Sequence, residues 1–372
     1  MKKKLVAALL AAVMVFSLAA CSSSSSSSDS DSDDTEAEEE EEEDEDDDSE
    51  EVDTSDLEAI TLIGGDNASV GAAAAEYGEL FSETLEELSG GLITVNYQAN
   101  GSLGDDASMQ QQVLDGDMDF VICQTAQTTS FVSEVAIFDL PMVFAKYDAE
   151  TIGTVLNDSD FSDALKECYE NNNLKLIHFL QAGTFRETTS NVAVYELADF
   201  EGLQIRTMEN SNHMAFWTAL GAEPTPMTWS EVYFALQTGS LEAQENATDT
   251  CAGNSLYEVQ DYLILTHHIL YCNQLMFNNE LFDSLPEQYQ EWILEAAETA
   301  AETVEADMVT LDEESTQTLV DGGMEVIEFD ESFIDEVLAV EGVIELYDDI
   351  DDQVGGGLVE MLQTALEETA GE

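Results

Sequence analysis

From residue 57 onward the apolar residues alternate between two spacings. Short runs with period two or unbroken apolarity give way to stretches where apolar residues recur every three or four positions. The run at 59–63 predicts a strand stopped by Gly64 and Gly65. The stretch 71–88 predicts a helix with Tyr77, Leu80, Phe81, Leu85 and Leu88 on one stripe, closed by SGG at 89–91. A strand at 92–97, a turn at 100–104, a helix at 105–114 ending at Gly116 and a buried strand at 119–123 follow. Beyond an apolar segment at 138–144 broken by Pro141, one helix is predicted over 152–170. A strand at 174–179 runs on through Ala182 and Gly183 towards Arg186, with Gly183 as a pliable point where the chain could cross between lobes.

The plan then repeats. Residues 203–206 alternate, so Leu203 and Ile205 face one side and Gln204 and Arg206 the other. Asn210 or Ser211 caps a helix ending near Leu220 and Gly221. Thr228 and Glu231 have the spacing of a capping box for a helix that closes at Gly239, and a strand covers 241–246. Helix, glycine, then acidic strand at 113–119 is echoed at 236–246. Between Pro286 and Leu319, Trp292, Ile293, Ala296, Ala300, Val304 and Leu311 form the stripe of a long helix. Strands alternating with helices predict an α/β fold. Some 316 residues after the first 56 suit two lobes better than one core. In such lobes ligands sit at the carboxyl ends of strands, where Asn67 and the pair Gln124 and Thr125 lie.

The first 56 residues read differently. Lys2, Lys3 and Lys4 precede an apolar run at 5–18, too short for a membrane span of about 20 residues. Leu18-Ala19-Ala20-Cys21 looks like a lipobox, so residues 1–20 are expected to be a lipoprotein signal peptide and Cys21 the acylated residue. Residues 22–56 are serines followed by Asp and Glu, with too little apolar surface to offset chain entropy. Residues 21–56 are therefore expected to be a disordered tether behind the acylated cysteine.

Charge narrows the function. The chain has 82 acidic residues against eight Lys and Arg, and 20 of the acids fall at 29–56; residues 57–372 still carry about −57. A nucleic-acid partner needs a basic footprint, which this chain lacks. The four cysteines beyond Cys21 (Cys123, Cys168, Cys251 and Cys272) match no zinc or CxxC spacing, and either disulfides or buried thiols are compatible with them. His267 and His268 are adjacent, aimed apart, with no third ligand at metal spacing, so no metal or other cofactor is expected. GxSxG, HExxH and P-loop patterns are absent from the sequence.

Against this acidity the only two arginines, Arg186 and Arg206, stand out. Both lie in one window, and a guanidinium is a permanently charged planar fork suited to a carboxylate. Two structural arginines paired with two of the many acids is the other reading of the same pattern.

That window carries a family resemblance. GLQIR at 202–206, LGAEPTPMTWSEVY at 220–233, LQTG at 236–239 and QEN at 244–246 resemble the DctP-type extracytoplasmic solute-binding proteins of TRAP (tripartite ATP-independent periplasmic) transporters. SGG at 89–91, GSLG at 101–104, FDLP at 138–141 and ELFDSLPE at 280–287 agree. Ala243 stands where the family usually has Gly, Ala247 where Pro is common, and the acidic tether is not a family feature.

The resemblance implies a periplasmic-binding-protein-like fold: two α/β lobes joined by hinge strands and spanned by a long helix. Lobe I would comprise 57–183 with about 272–311, and lobe II 184–271 with about 312–372. It implies that Arg206 forms a bidentate pair with a ligand carboxylate, with Arg186 and Asn246 as further polar contacts and Trp229 packing on the ligand. The implied partners are a small organic acid and the small and large membrane subunits of a permease, on the outer face of the membrane to which the lipid tethers the protein. A secreted two-lobed hydrolase and a ligand sensor signalling through a membrane partner remain the alternatives.

Overall fold

A computed structural model describes residues 55–182, 184–330 and 332–371. The expected signal peptide, Cys21, the acidic run and Gly183 lie outside these residues.

Eleven strands among the described residues build two sheets: β1 (Ile60–Asp66), β2 (Ile93–Gln98), β3 (Phe120–Gln124), β4 (Leu174–Leu180), β5 (Phe185–Ser190), β6 (Gln204–Thr207), β7 (Glu223–Pro226), β8 (Ala243–Asn246), β9 (Tyr262–Leu270), β10 (Asn273–Asn278) and β11 (Glu325–Glu328). The first sheet has the order β2-β1-β3-β10-β4 and the second β11-β9-β5-β8-β6-β7. Each has a parallel half, β2-β1-β3 and β8-β6-β7, joined to antiparallel strands. The chain passes between sheets from β4 to β5 and back from β9 to β10. These segments stay paired across the gap, since Tyr271 N–H donates to Thr184 O at 2.9 Å. The fold is the two-lobed mixed α/β architecture expected from the sequence.

The long helix is Glu287–Asp321, 35 residues entered through Pro286. At 1.5 Å per residue it is roughly 50 Å long. It packs on helix Ala73–Leu88 beside the first sheet and on helix Thr248–Gly253 beside the second. Ala296, Ala297, Ala300 and Ala301 are buried at the first contact, where small side chains let the backbones approach. Further along, Glu305 accepts from Gln181 N–H at 2.9 Å, fastening the β4–β5 crossing to the helix. On the other side of the molecule one apolar cluster runs from Phe138, Tyr169 and Phe179 through Phe216 and Trp217 to Leu362. The C-terminal helix Leu358–Ala370, grouped from sequence with lobe II, packs on helices Ala149–Asn157 and Asp160–Asn171 beside the first sheet.

Three local expectations are corrected. Gly64 and Gly65 do not stop β1; they lie within it. A Cβ on Gly64 would sit 2.2 Å from the Phe120 ring, and one on Gly65 2.2 Å from the Gln98 carbonyl oxygen, so these glycines serve close packing. The helix predicted over 152–170 is two helices, because Ser159 caps the second by accepting from Ser162 N–H at 3.1 Å. Thr228 and Glu231 do not form a capping box: the Thr228 hydroxyl donates to Glu231 Oε2 at 3.0 Å instead of accepting from the backbone.

Candidate functional site

Between the two sheets lies a cleft with about 570 Å³ of empty space, the solvent at its open mouth included. All six residues singled out from the sequence as ligand contacts line it: Asn67, Gln124, Arg186, Arg206, Trp229 and Asn246. Their convergence follows from topology. Asn67 follows the last residue of β1, Gln124 ends β3 and Asn246 ends β8, so three carboxyl ends of parallel strands open on one space. Trp229 opens the helix Trp229–Gln237.

The two arginines are in different states. Arg186, on β5, is 1% exposed. Its Nε and Nη2 both donate to the Glu245 carboxylate on the adjacent β8, and Nη2 also reaches the Glu245 carbonyl oxygen at 3.0 Å. Its Nη1 donates to Gln124 Oε1 at 2.6 Å, which ties the two lobes together. Arg206, on β6, is 3% exposed. It donates through Nε (3.0 Å) and Nη2 (2.8 Å) to the Met227 carbonyl, and its guanidinium lies 5.4 Å from the centre of the Trp229 ring. Among the described residues no carboxylate pairs with it. Burial lowers the Arg206 pKa to about 10, Glu245 opposing and Arg186 adding to the shift; it stays charged at neutral pH.

Glu245 is the centre of a buried polar chain. Burial disfavours its charge, but Arg186 and the hydrogen bond from His268 outweigh that and hold its carboxyl well below the usual glutamate range. His268 Nε2 is 3.3 Å from Glu245 Oε2, and Thr266 contacts its other ring nitrogen at 2.8 Å. His213 Nδ1 lies 3.9 Å from Glu245 and its Nε2 3.1 Å from Asp139, which also accepts from Asn210 (2.9 Å) and Asn212 (3.0 Å). His267 does point away from His268, as expected, and its exposed ring pairs with the buried Glu187. Every member of this chain lies within the fold, so it fixes Arg186 and leaves the charge on Arg206 for the cleft. The cysteines take no part: Cys123, Cys168, Cys251 and Cys272 are free thiols.

The opposite wall was not foreseen. Asp66, Asp106, Tyr271 and Asn273 also line the cleft. Asp66 is consumed internally, accepting from Tyr97 Oη and from Ala68 N–H (2.6 Å), which shapes the turn that presents Asn67. Asp106 opens helix Asp106–Asp115; burial raises its pKa to about 7, partly offset by a hydrogen bond from the Gln124 backbone N–H. Asn273 starts β10, and its Nδ2 is buried without a partner. Tyr271 lies under Arg186, 5.8 Å from the guanidinium carbon to the ring centre. Sequence offered a faint signal for Asp106, the acidic pair after the GSLG turn, and none for Asn273. The substitution of Ala247 for the commoner proline has a visible result: its N–H donates to Asn246 Oδ1 at 3.0 Å, a bond proline cannot make. Asn246 thus has its amide N–H₂ left to offer the cleft.

A family model described as bacterial extracellular solute-binding protein, family 7, matches residues 65–350. The sialic acid-binding periplasmic protein of Vibrio cholerae is 31% identical over 260 residues, 68% of this chain and 80% of that protein. A TRAP periplasmic solute-binding protein from Ochrobactrum anthropi, solved with its C-terminus bound in the ligand-binding pocket, is 26% identical with a TM-score of 0.76, over 85% of this chain and 97% of that one. One from Polaromonas sp. JS666, bound to D-erythronate, is 25% identical with a TM-score of 0.74, over 82% and 98% of the two chains.

Proposed function

We infer that this chain, which belongs to the bacterial extracellular solute-binding proteins of family 7, the receptors of TRAP transporters, captures a small organic acid in the cleft between its lobes. The family is one of substrate-binding receptors rather than enzymes. The observation that carries the reading is Arg206: a buried, charged guanidinium with no carboxylate partner among the described residues, facing a cleft. A buried cation is costly unless paired, and a ligand carboxylate is the partner this site lacks. Trp229 flattens one side of the guanidinium, and Asn246 and Gln124 supply polar contacts beside it. Closure of the lobes excludes water, so the anion meets weakly screened charge despite the acidic surface outside.

The captured acid is handed to an ion-driven permease of one small and one large membrane subunit, and the chain performs no turnover of its own. Acylation at Cys21 holds it on the outer face of the membrane, with residues 22–56 as the spacer. The sequence of residues 1–21, with its basic, apolar and small-residue segments, supports that placement. Mass spectrometry of ligand retained under native conditions tests the receptor reading. A retained acid, displaced when Arg206 is replaced, supports it; a folded protein that binds no carboxylate from a broad panel overturns it.

A further inference from the structure

Two segments that belong to different sheets meet at one edge of the cleft. On the first-sheet side is the loop after β1, which places Ser69 in the cleft lining. On the other side is the helix Thr248–Gly253, which begins directly after Asn246 and Ala247 at the end of β8. Asn254 caps the end of this helix and also lines the cleft. It donates one amide N–H to Thr250 O at 2.8 Å and the other to Ser69 Oγ at 3.0 Å. The first bond fixes the amide on its own helix, so the second is aimed at the opposite lobe. Gly253 lies against the same serine: a Cβ there would sit 3.3 Å from the Ser69 Cβ. Gly253 ends ordinary helical backbone, so what the glycine supplies is room for the other lobe. Asp249 of this helix also faces Ala73 N–H, at 3.5 Å, where the helix Ala73–Leu88 starts without a side-chain cap of its own. Gly253 and Val70 are exposed, so the contact lies where the cleft meets solvent. The short helix is held firmly behind it: Thr248 Oγ1 donates to Asp312 on the long helix, and Thr250 Oγ1 is 3.3 Å from Tyr271 Oη. Asn246 and Asn254 therefore move as one piece.

We propose that Asn254 and Ser69, packed over Gly253, form a clasp across the edge of the cleft that sets how long a captured acid is held, without touching the acid. This rests on the receptor reading above and adds positioning residues to it. Ser69 and Asn254 lie on loops of different sheets, away from the β4–β5 and β9–β10 crossings that join the lobes, so parting the lobes breaks their bond and closing them re-forms it. A contact made only in the closed state stabilises that state and takes no part in the first encounter. Its loss therefore speeds release and leaves capture alone. Both polar groups return to water when the lobes part, so the bond is worth a few-fold in residence time rather than orders of magnitude. Because Asn254 shares its helix with the end of β8, a ligand that engages Asn246 also sets the position of the clasp.

The test has a kinetic arm and a covalent arm, both on the purified full chain. D-erythronate, D-gluconate, succinate and N-acetylneuraminate are titrated first, and the tightest binder is followed by stopped-flow tryptophan fluorescence. Ser69→Ala and Asn254→Ala are each expected to speed its release about 3- to 10-fold while association changes by less than about twofold. The double variant should release no more than about twofold faster than the quicker single variant, because either change alone breaks the same bond. Losses that multiply, or wild-type release from either folded single variant, overturn the inference and leave the receptor reading standing. The covalent arm pairs Ser69→Cys with Gly253→Cys, whose Cβ separation is close to the span of about 3.5–4.5 Å that a disulfide needs. Oxidised after loading, this protein should retain the acid through dialysis and give it up on reduction; oxidised empty, it should exclude the acid. Gly253→Cys alone, treated alike, corrects for the native thiols. A folded double variant that forms no disulfide overturns the inference. If none of the four acids binds, disulfide formation decides the clasp by itself, and the receptor reading is judged separately on the broader carboxylate panel.

Discussion

Arg186 and Glu245 hold each other across adjacent antiparallel strands, with two guanidinium nitrogens on one carboxylate and both side chains buried. Arg206 sits on the far side of the same β8 strand without such a partner. The two arginines, similar in sequence context, therefore have separate tasks: one braces the cleft and the other faces its content.

Replacing Arg206 should abolish most ligand binding without unfolding the protein, because among the described residues its side chain hydrogen-bonds only the Met227 carbonyl. Losing one partner of a buried hydrogen-bonded ion pair costs about 2–5 kcal/mol, roughly 30- to 4000-fold in affinity. Arg206→Lys keeps the charge but loses the fork and the contact with Trp229, so it should recover only part of that loss. Titration of the retained ligand against wild type, Arg206→Ala and Arg206→Lys checks both statements. Wild-type affinity in a folded Arg206→Ala protein would remove Arg206 from the site.

Arg186→Ala should act first on stability. It leaves Glu245 buried with His268, His213 and the charge of Arg206 as its remaining partners, and breaking such a pair costs about 3–5 kcal/mol. Glu245→Gln strands the guanidinium in the same way. A double-mutant cycle in denaturant should give a coupling energy that cancels much of the two single losses. Additive losses would mean that the pair is not energetically linked.

Stability should depend on pH through Asp106. Its folded pKa is raised from 3.8 to about 7, so the native state holds a proton through that window that the unfolded state releases. Stability from this source is greatest below about pH 4, declines between about 4 and 7, and is gone above. Glu245 acts oppositely: its depressed pKa contributes stability above the ordinary glutamate value of 4.5 that is lost on acidification. Thermal melts of the ligand-free protein at fixed ionic strength should thus show a higher Tm near pH 5 than near pH 8. Asp106→Asn should shrink that difference by raising the Tm at pH 8. An Asn variant with the wild-type pH profile would show that Asp106 does not titrate in this window.

Cys21→Ala should move the protein from the membrane fraction to the soluble one and abolish incorporation of a labelled fatty acid. Equal labelling of the variant would place the lipid elsewhere, and a wild type without label would eliminate it.

The parts of this molecule that follow from periodicity were open to reading. Period-two runs and helical stripes gave the strands and helices of both lobes, since burial of one face imposes spacing locally. The errors were where distant chain segments decide. Gly64 and Gly65 look like a strand end until the Phe120 ring and the Gln98 backbone are seen to need the room. Thr228 and Glu231 have capping-box spacing, yet the hydroxyl turns to the carboxylate.

The sequence alone determined that a rigid, permanently charged fork is scarce here and occurs twice in one motif-bearing window, because composition and chain order require no folding to be read. It also placed Asn67, Gln124 and Asn246 at strand ends, where α/β lobes open. Only the tertiary structure decided which arginine is free. That depends on Glu245 lying beside Arg186 and not Arg206, a consequence of antiparallel pairing between β5 and β8. The same holds for Asp106 and Asn273, 167 positions apart in the chain, which share the cleft because β10 inserts beside β3 after the chain has crossed to the second sheet and returned.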